Sequence, residues 1–128
     1  MAGERDFWLK DQLGMEITSD GGRATVVLEC DERHLNPHGS VHGSVLFAMV
    51  DTGMGAATLG TLTGDDFCAS VEVHVRFLEP VFAGTLRAEV GVVKAGRRVV
   101  QLEADVWEGE RRVATATGSF AVIEAAPR

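Results

Sequence analysis

One stretch of the chain constrains the fold more than any other, because it is apolar around nearly the whole circumference of a helix. It follows Ser40, which is predicted to be the N-cap, and it runs to Leu59, just before Gly60. A helix with apolar side chains on every face must be enclosed by other elements. The apolar positions are Val41, Val45, Leu46, Phe47, Ala48, Met49, Val50, Met54, Ala56, Ala57 and Leu59.

The segments on either side of this helix are predicted to be strands. Apolar and polar residues alternate before the helix and in four later segments, and Ala95-Gly96 and Glu108-Gly109 are typical of tight turns between antiparallel strands. The order predicts an α+β fold in which a curled antiparallel sheet wraps around one long central helix. We expect a single domain over residues 1–128. The predicted strands lie near 24–30, 69–77, 86–92, 100–106 and 114–122.

Charge and composition limit the class of partner. The net charge of -7 and the pI near 5.0 argue against a nucleic-acid partner, because phosphate backbones are bound by dense basic surface. The first residues carry charges and no apolar signal-peptide core, and no segment is long enough to span a membrane. We therefore expect a cytoplasmic protein in which Cys30 and Cys68 are reduced.

Asp51 and Gly43 are the residues of the apolar helix that suggest chemistry. Burying an ionised carboxylate costs several kcal/mol unless it is paired, so Asp51 is either a structural acid satisfied by a neighbouring amide or a functional one. Gly43 lies in the first turn, where backbone N–H groups lack intrahelical partners. Without a Cβ, it lets a ligand carbonyl approach that N–H, as in an oxyanion hole; close helix packing is the alternative reason for this glycine.

The residues around this helix start resemble a known family. Residues 36–51 read Asn-Pro-His-Gly-Ser-Val-His-Gly-Ser-Val-Leu-Phe-Ala-Met-Val-Asp, which is similar to the signature of the hot-dog-fold acyl-CoA thioesterases of the phenylacetic-acid-degradation (PaaI-like) family. Residues 69–72 and 76–80 and the turn glycines Gly84, Gly96 and Gly109 also fall where that family has them. The resemblance runs from about Leu13 to Val122 and implies a hot-dog fold and thioester hydrolysis.

The resemblance also implies roles for individual residues. Asp51 would act as general base or nucleophile, and the Gly43 N–H would polarise the thioester carbonyl, with Asn36 and His42 helping to hold the carbonyl or the water. Ser70 matches a Ser or Thr that assists the water, although strand alternation places it with Glu72 and His74, away from the apolar face. Ser44 replaces the family's usual second glycine, so it either narrows the pocket or adds a hydrogen bond.

The spacing of two of these residues predicts a shared site. Gly43 and Asp51 are eight residues apart, which separates them by about 12 Å along a helix, too far to touch one carbonyl. Antiparallel helices across a twofold axis would bring Gly43 of one subunit to Asp51 of the other, as the family resemblance also implies. We therefore expect an obligate homodimer, and a homotetramer as a dimer of dimers.

The substrate is expected to be an aryl- or medium-chain acyl-CoA, with Phe47, Met49 and Met54 lining its apolar pocket. Gly96, Arg97 and Arg98 form a turn that is the candidate site for the phosphates of coenzyme A, although exposed arginines at turns commonly serve solubility alone. Coenzyme A is part of this substrate, and no separate cofactor is expected.

One further interpretation of the sequence is disfavoured, and two remain open. His34, His38 and His42 recur every four residues, but Pro37 and Gly39 exclude the single helix that would align them as metal ligands, so no metal is expected. A dehydratase or hydratase on the same fold would use His42 together with Asp51. A non-catalytic acyl-CoA-binding module would have no need for a buried carboxylate.

Overall fold

The computed structural model describes residues 5–125, which form one antiparallel sheet and one long helix. The strand order in the sheet is β1-β2-β4-β5-β6-β3, and all neighbours are antiparallel. The predicted α+β fold, with a curled sheet around one long helix, is confirmed. The elements are α1 Trp8–Leu13, β1 Met15–Asp20, β2 Arg23–Glu29, the 3-10 turn Glu32–His34, α2 Gly43–Leu59, β3 Phe67–Phe77, β4 Thr85–Ala95, β5 Val99–Glu108 and β6 Arg111–Ile123.

Helix α2 lies in the concave face of the sheet and supplies the centre of the core. Met49, Val50 and Met54 are fully buried against strand residues such as Val26 and Leu86. Burial of each side chain of this size stabilises the fold by about 1.5–3 kcal/mol. The sheet thus holds the helix in a fixed position, which also fixes the positions of the polar residues on α2.

The expectation that α2 is enclosed on all sides is only partly correct. The sheet covers one face of the helix, and an opposite stripe stays partly or fully exposed, with Phe47 42% and Leu59 51% exposed. The stripe is spaced by three and four residues, which places its members in one row along the helix. Its members are Phe47, Ala48, Asp51, Thr52, Gly55, Ala56 and Leu59.

Two features of the amino-terminal half differ from prediction. Helix α2 begins at Gly43 with His42 as its N-cap, because the hydroxyl of Ser40 is bonded to Asn36 instead. The chain also forms α1 and β1 before the first predicted strand. Strand β1 is mostly exposed, so it lacks the alternation that identifies a half-buried strand. The Gly21-Gly22 pair between two extended segments was the available hairpin signal.

The described residues leave two sheet edges, β1 and β3. Strand β3 is the longer, with 11 residues, and pairs only with β6. Val71 and Phe77 on it are 65% and 55% exposed. A long apolar edge of this kind is normally covered or paired. Within residues 5–125, no helix is long and apolar enough to cross a membrane.

Two glycines of α2 provide a test of this packing. A Cβ at Gly53 would lie 2.8 Å from Cγ2 of the buried Val90 and 3.2 Å from Cγ2 of Val26, whereas a Cβ at Gly55 would lie 3.7 Å from the Phe120 ring. We expect Gly53→Ala to destabilise the fold by about 1–3 kcal/mol through overpacking. The matched control Gly55→Ala gains helix propensity and should stabilise it by up to about 1 kcal/mol. Urea unfolding of both variants measures the difference, and equal stabilities would contradict the close packing of α2 on β2 and β4.

Candidate active site

The Asp51 carboxyl is the least satisfied polar group of the described chain. Asp51 lies on the uncovered stripe of α2, its Oδ1 atom is buried, and that atom has no hydrogen-bond partner among residues 5–125. Burial raises the pKa of Asp51, and a hydrogen bond from the Ser70 side chain partly lowers it again. A structural acid would be paired on both oxygens, so an unpartnered buried oxygen favours the functional interpretation.

A β-bulge brings Ser70 to this carboxyl. The pairing of β3 with β6 shifts between Ser70 and Glu72, which leaves Val71 without a partner. Ser70 lies opposite the buried Phe120, and residues directly opposite in a sheet share a face. The predicted orientation of Ser70 with Glu72 and His74 is therefore wrong, because the alternation assumed an unbroken strand. Ser70 faces α2, as the family resemblance implies.

Asp51 and Ser70 lie in the wall of a cavity of about 580 Å³. The cavity opens between α2, the start of β3 and the amino-terminal elements. The prediction that Met49 and Met54 line the pocket is wrong, because both are fully buried in the core; the exposed Phe47 does not line this cavity. The lining residues are Phe7, Leu9, Ile17, Asp51, Thr52, Gly55, Ala56, Leu59, Cys68, Ala69, Ser70 and Phe120.

Cys68 also lines this cavity, and its chemistry decides whether it competes with Asp51. Its Sγ lies 3.8 Å from the carbonyl oxygen of Gly55. Burial and the nearby Asp51 carboxylate raise the pKa of the Cys68 thiol. Nucleophilic cysteines are thiolates, and a raised pKa disfavours the thiolate, so Asp51 is the better candidate for the chemistry of this cavity. Cys30 and Cys68 are both free, as predicted.

A second depression, of about 380 Å³, lies on the outer face of the sheet. Its charged lining residues are Arg23, Glu89, Glu103 and Asp105. Three carboxylates would repel the phosphates of a coenzyme A substrate. The cavity with Asp51 is therefore the better candidate for the active site.

The start of α2 presents a separate set of polar groups. Gly43 is the first residue of the helix, so its backbone N–H has no intrahelical partner. A Cβ at this position would lie 3.2 Å from Cζ of Phe77 at the end of β3. The structure therefore shows close packing of Gly43 against a neighbour, and it leaves the Gly43 N–H as an open backbone donor at the positive end of the helix dipole.

His42 caps α2, and Ser44 orients its ring. The Nδ1 atom of His42 accepts from the Ser44 N–H at 3.0 Å and lies 2.7 Å from the Ser44 hydroxyl oxygen. With Nδ1 as acceptor, the neutral ring carries its proton on Nε2, which is then a donor at the exposed helix start. Of the two effects considered for Ser44, the structure shows the added hydrogen bond.

Asn36 shapes the loop that leads to α2. Its Oδ1 accepts from the N–H groups of His38 at 2.9 Å and Ser40 at 3.2 Å, and its Nδ2 donates to the Ser40 hydroxyl at 2.8 Å. These bonds close a turn immediately before the helix. Within one chain Asn36 therefore positions the helix start, and one of its two Nδ2 hydrogens remains for a ligand.

The predicted site residues thus fall into two groups. Asp51 and Ser70 share the cavity, whereas Asn36, His42 and Gly43 lie at the helix start and do not line it. Gly43 and Asp51 are on the same helix, about 12 Å apart along its axis. One chain therefore carries both halves of the predicted site without joining them.

The predicted coenzyme A residues lie on the β4–β5 turn. Gly96 closes the turn by donating to the carbonyl of Val99 at 3.0 Å, and Arg97 and Arg98 are exposed. Neither arginine takes part in an ion pair within the described chain. The Arg98 carbonyl accepts from Val122 N–H, beside the strands that carry Phe120 and Cys68. The turn is near the cavity, but none of its residues lines it.

The three histidines of the motif do not lie together on a helix. His34 is fully buried; its Nδ1 accepts from the Asp31 N–H at 2.9 Å, and its Nε2 lies 2.7 Å from the Leu13 carbonyl oxygen. Both ring nitrogens of His34 are therefore occupied. Among residues 5–125, no three His, Cys, Asp or Glu side chains are grouped as a metal site requires.

Comparison with known proteins identifies the family. The sequence model of the thioesterase superfamily matches residues 38–115. A protein of Pseudomonas aeruginosa named as an esterase is 33% identical over 115 residues, covering 88% of this chain and 86% of that protein. The 1,4-dihydroxy-2-naphthoyl-CoA hydrolase of Listeria monocytogenes is 26% identical over 101 residues, covering 78% of each chain.

Solved structures agree with the sequence comparison. A conserved protein of Pseudomonas aeruginosa has a TM-score of 0.86 at 31% identity, covering 90% of this chain and 93% of that chain. The PaaI protein of the phenylacetic acid degradation operon of E. coli has a TM-score of 0.85 at 28% identity, covering 93% and 86%. The chain belongs to the thioesterase superfamily and is a hot-dog-fold thioester hydrolase. Within that superfamily it is of the PaaI-like kind.

The raised pKa of Asp51 predicts a stability effect that is independent of catalysis. Because the folded chain holds this proton more tightly than the unfolded chain, ionisation of Asp51 opposes folding. The cost is absent below the ordinary value of 3.8 and grows as pH rises through the raised pKa. We expect Asp51→Asn to unfold at a higher urea concentration than wild type at pH 8, with the difference shrinking toward pH 4.

The exposed Asp20 provides the control for this measurement, since Asp20→Asn removes the same formal charge from the surface. That variant should follow the wild-type curve at both pH values. If Asp51→Asn is no more stable than wild type at pH 8, the Asp51 carboxyl is not a desolvated group.

Proposed function

We propose that the protein hydrolyses an aryl- or medium-chain acyl-CoA to the free acid and coenzyme A, with Asp51 as the catalytic carboxylate. The observation that carries the proposal is the unpartnered Oδ1 of Asp51 in the wall of a mostly apolar cavity. The family supplies the reaction class, thioester hydrolysis. A non-catalytic binding module would have no use for this costly carboxylate.

The chemistry needs a group that delivers an oxygen nucleophile to the thioester carbonyl carbon. Asp51 can do so by taking a proton from water, whose oxygen then attacks, or by attacking directly to form an acyl anhydride that water cleaves. In both routes the carbon–sulfur bond breaks and the thiolate leaves as coenzyme A. The Ser70 hydroxyl, next to the carboxyl, is suited to orient Asp51 or the water.

The other half of the site is proposed to come from a second subunit. The carbonyl oxygen gains negative charge in the transition state, and the free Gly43 N–H at the start of α2 is the donor suited to it. The Nε2–H of His42 and the loop held by Asn36 lie at the same helix start. These donors must meet Asp51 of the partner subunit, because Asp51 of the same helix is out of reach.

The position of β3 beside α2 supports this assembly. Its early residue Cys68 contacts the Gly55 carbonyl, and its last residue, Phe77, contacts Gly43. If two β3 edges pair antiparallel about a twofold axis midway between Ser70 and Phe77, Phe77 of one subunit lies opposite Ser70 of the other. That pairing would place Gly43 of each subunit beside Asp51 of the partner subunit.

The uncovered stripe of α2 supports the same dimer. Phe47 and Leu59 are large apolar residues that the sheet of their own chain leaves exposed, as are Val71 and Phe77 on β3. Exposed apolar patches of this kind mark association surfaces. A homodimer would cover both the exposed stripe of α2 and the free edge of β3. The homotetramer stays a prediction.

The phosphates of coenzyme A need positive groups, which this chain has in smaller number than acidic ones, 12 against 19. We assign them to Arg97 and Arg98, with Gly96 shaping the turn that presents both, because these arginines have no ion-pair partner in the described chain and lie near the cavity. Guanidinium groups bind phosphate oxygens in a bidentate manner. The proposed reaction uses coenzyme A only as part of the substrate.

Replacing the Asp51 carboxylate with an amide tests the catalytic role of Asp51. Asp51→Asn keeps the size of the side chain and should lower kcat for the best acyl-CoA substrate by at least about 100-fold. The measurement is release of free thiol from a panel of aryl- and medium-chain acyl-CoA substrates. A folded Asp51→Asn variant that turns over at the wild-type rate would exclude Asp51 as base or nucleophile.

A further inference from the structure

We propose that helix α1 is the specificity-determining wall of the acyl cavity, with Phe7 and Leu9 contacting the far part of the acyl group. This inference rests on the proposed function, since it takes the cavity at Asp51 as the acyl site. Both side chains line the cavity, and both are largely exposed, at 44% and 51%. Apolar side chains that face an open cavity gain burial when an apolar ligand fills it.

The carboxyl end of α1 is tied to the body of the protein. The guanidinium of Arg33 donates to the Gln12 carbonyl at 2.7 Å, and Nε2 of the buried His34 lies 2.7 Å from the Leu13 carbonyl oxygen. Since His34 Nδ1 accepts from the Asp31 N–H, its proton lies on Nε2, which donates to Leu13. Arg33 and His34 belong to the 3-10 turn that precedes the loop of Asn36. The same turn therefore holds both the end of α1 and the start of that loop.

Within residues 5–125, no side-chain hydrogen bond ties the amino-terminal end of α1 to another element in the same way. Phe7 is the N-cap residue without a side-chain cap bond, and α1 contains no buried residue. The first turn of α1 is closed by the Phe7 carbonyl, which accepts a hydrogen bond from the Asp11 N–H at 3.1 Å. The side chains at this end can therefore be changed without removing any part of the core.

The far wall of the cavity matches this assignment. Leu59 lies eight residues beyond Asp51, which is about 12 Å along α2, and Ile17 lies on β1. Both residues line the same cavity as Phe7 and Leu9. A two-carbon acyl group held at Asp51 is too short to extend this far, whereas an extended eight-carbon chain reaches toward these residues. The wall should therefore affect substrates according to their length.

Substitution of the two wall residues tests the inference. In the double variant Phe7→Ala, Leu9→Ala, we expect the ratio of kcat/KM for octanoyl-CoA to that for acetyl-CoA to fall by about 10-fold. Trp8→Ala is the matched control, because Trp8 lies between them, is 67% exposed and does not line the cavity. The control should keep the wild-type ratio.

Binding of unreactive probes separates this inference from the proposed hydrolysis. S-octyl-CoA and S-ethyl-CoA are thioethers without a scissile carbonyl, and calorimetry gives their affinities directly. The double variant should bind S-octyl-CoA about 10-fold more weakly than wild type, with S-ethyl-CoA unchanged. If wild type hydrolyses no acyl-CoA but the double variant still loses affinity for S-octyl-CoA, the proposed reaction is wrong and the role of α1 in binding the acyl group is supported. If the double variant keeps the wild-type preference for octanoyl-CoA over acetyl-CoA, or if Trp8→Ala changes that preference equally, α1 does not determine the acyl specificity.

Discussion

The packing of α2 into the curled sheet is the constraint on which the rest of the structure depends. The buried face of the helix, centred on Met49, Val50 and Met54, fixes its axis and rotation against the strands. That rotation leaves Asp51 on the uncovered stripe, where its Oδ1 atom is buried without a hydrogen-bond partner among residues 5–125. The unfavourable environment of one carboxyl therefore depends on the favourable burial of its neighbours, a common arrangement at functional sites.

The same helix explains why the site residues separate into two groups. A rigid helix holds Gly43 at its start and Asp51 two turns later, so neither can move toward the other. Strand β3 runs beside it with Phe77 near the first and Ser70 near the second. In the proposed dimer, a second copy covers the exposed stripe of α2 and pairs with the β3 edge that the described chain leaves free, which completes the proposed site.

Much of this arrangement follows from the sequence, and the exceptions have local physical causes. The apolar helix, the later strands and the unfavourable burial of the Asp51 carboxyl were predictable, since each follows from a strong sequence pattern. The start of α2 was not, because Ser40 and His42 can both cap a helix, and the choice between them depends on the bond that the Asn36 Nδ2 donates to the Ser40 hydroxyl. The bulge at Val71 reversed Ser70, and alternation cannot reveal an inserted residue. The mostly exposed α1 and β1, with the α1 N-cap Phe7, supply three of the twelve residues that line the cavity, and neither element carries an alternating burial pattern that the sequence could reveal.

Mixing two inactive variants tests the shared site most directly. Asn36→Ala removes three bonds of the loop before α2, and Asp51→Ala removes the carboxylate in the cavity. When equal amounts are refolded together, random pairing makes about half of the dimers heterodimers, each with one site carrying both defects and one carrying neither. About a quarter of the wild-type thioesterase sites should therefore reappear, while each variant refolded alone stays inactive. If tagged chains prove that subunits exchange and no activity returns, each site is built within one chain and the shared site is wrong.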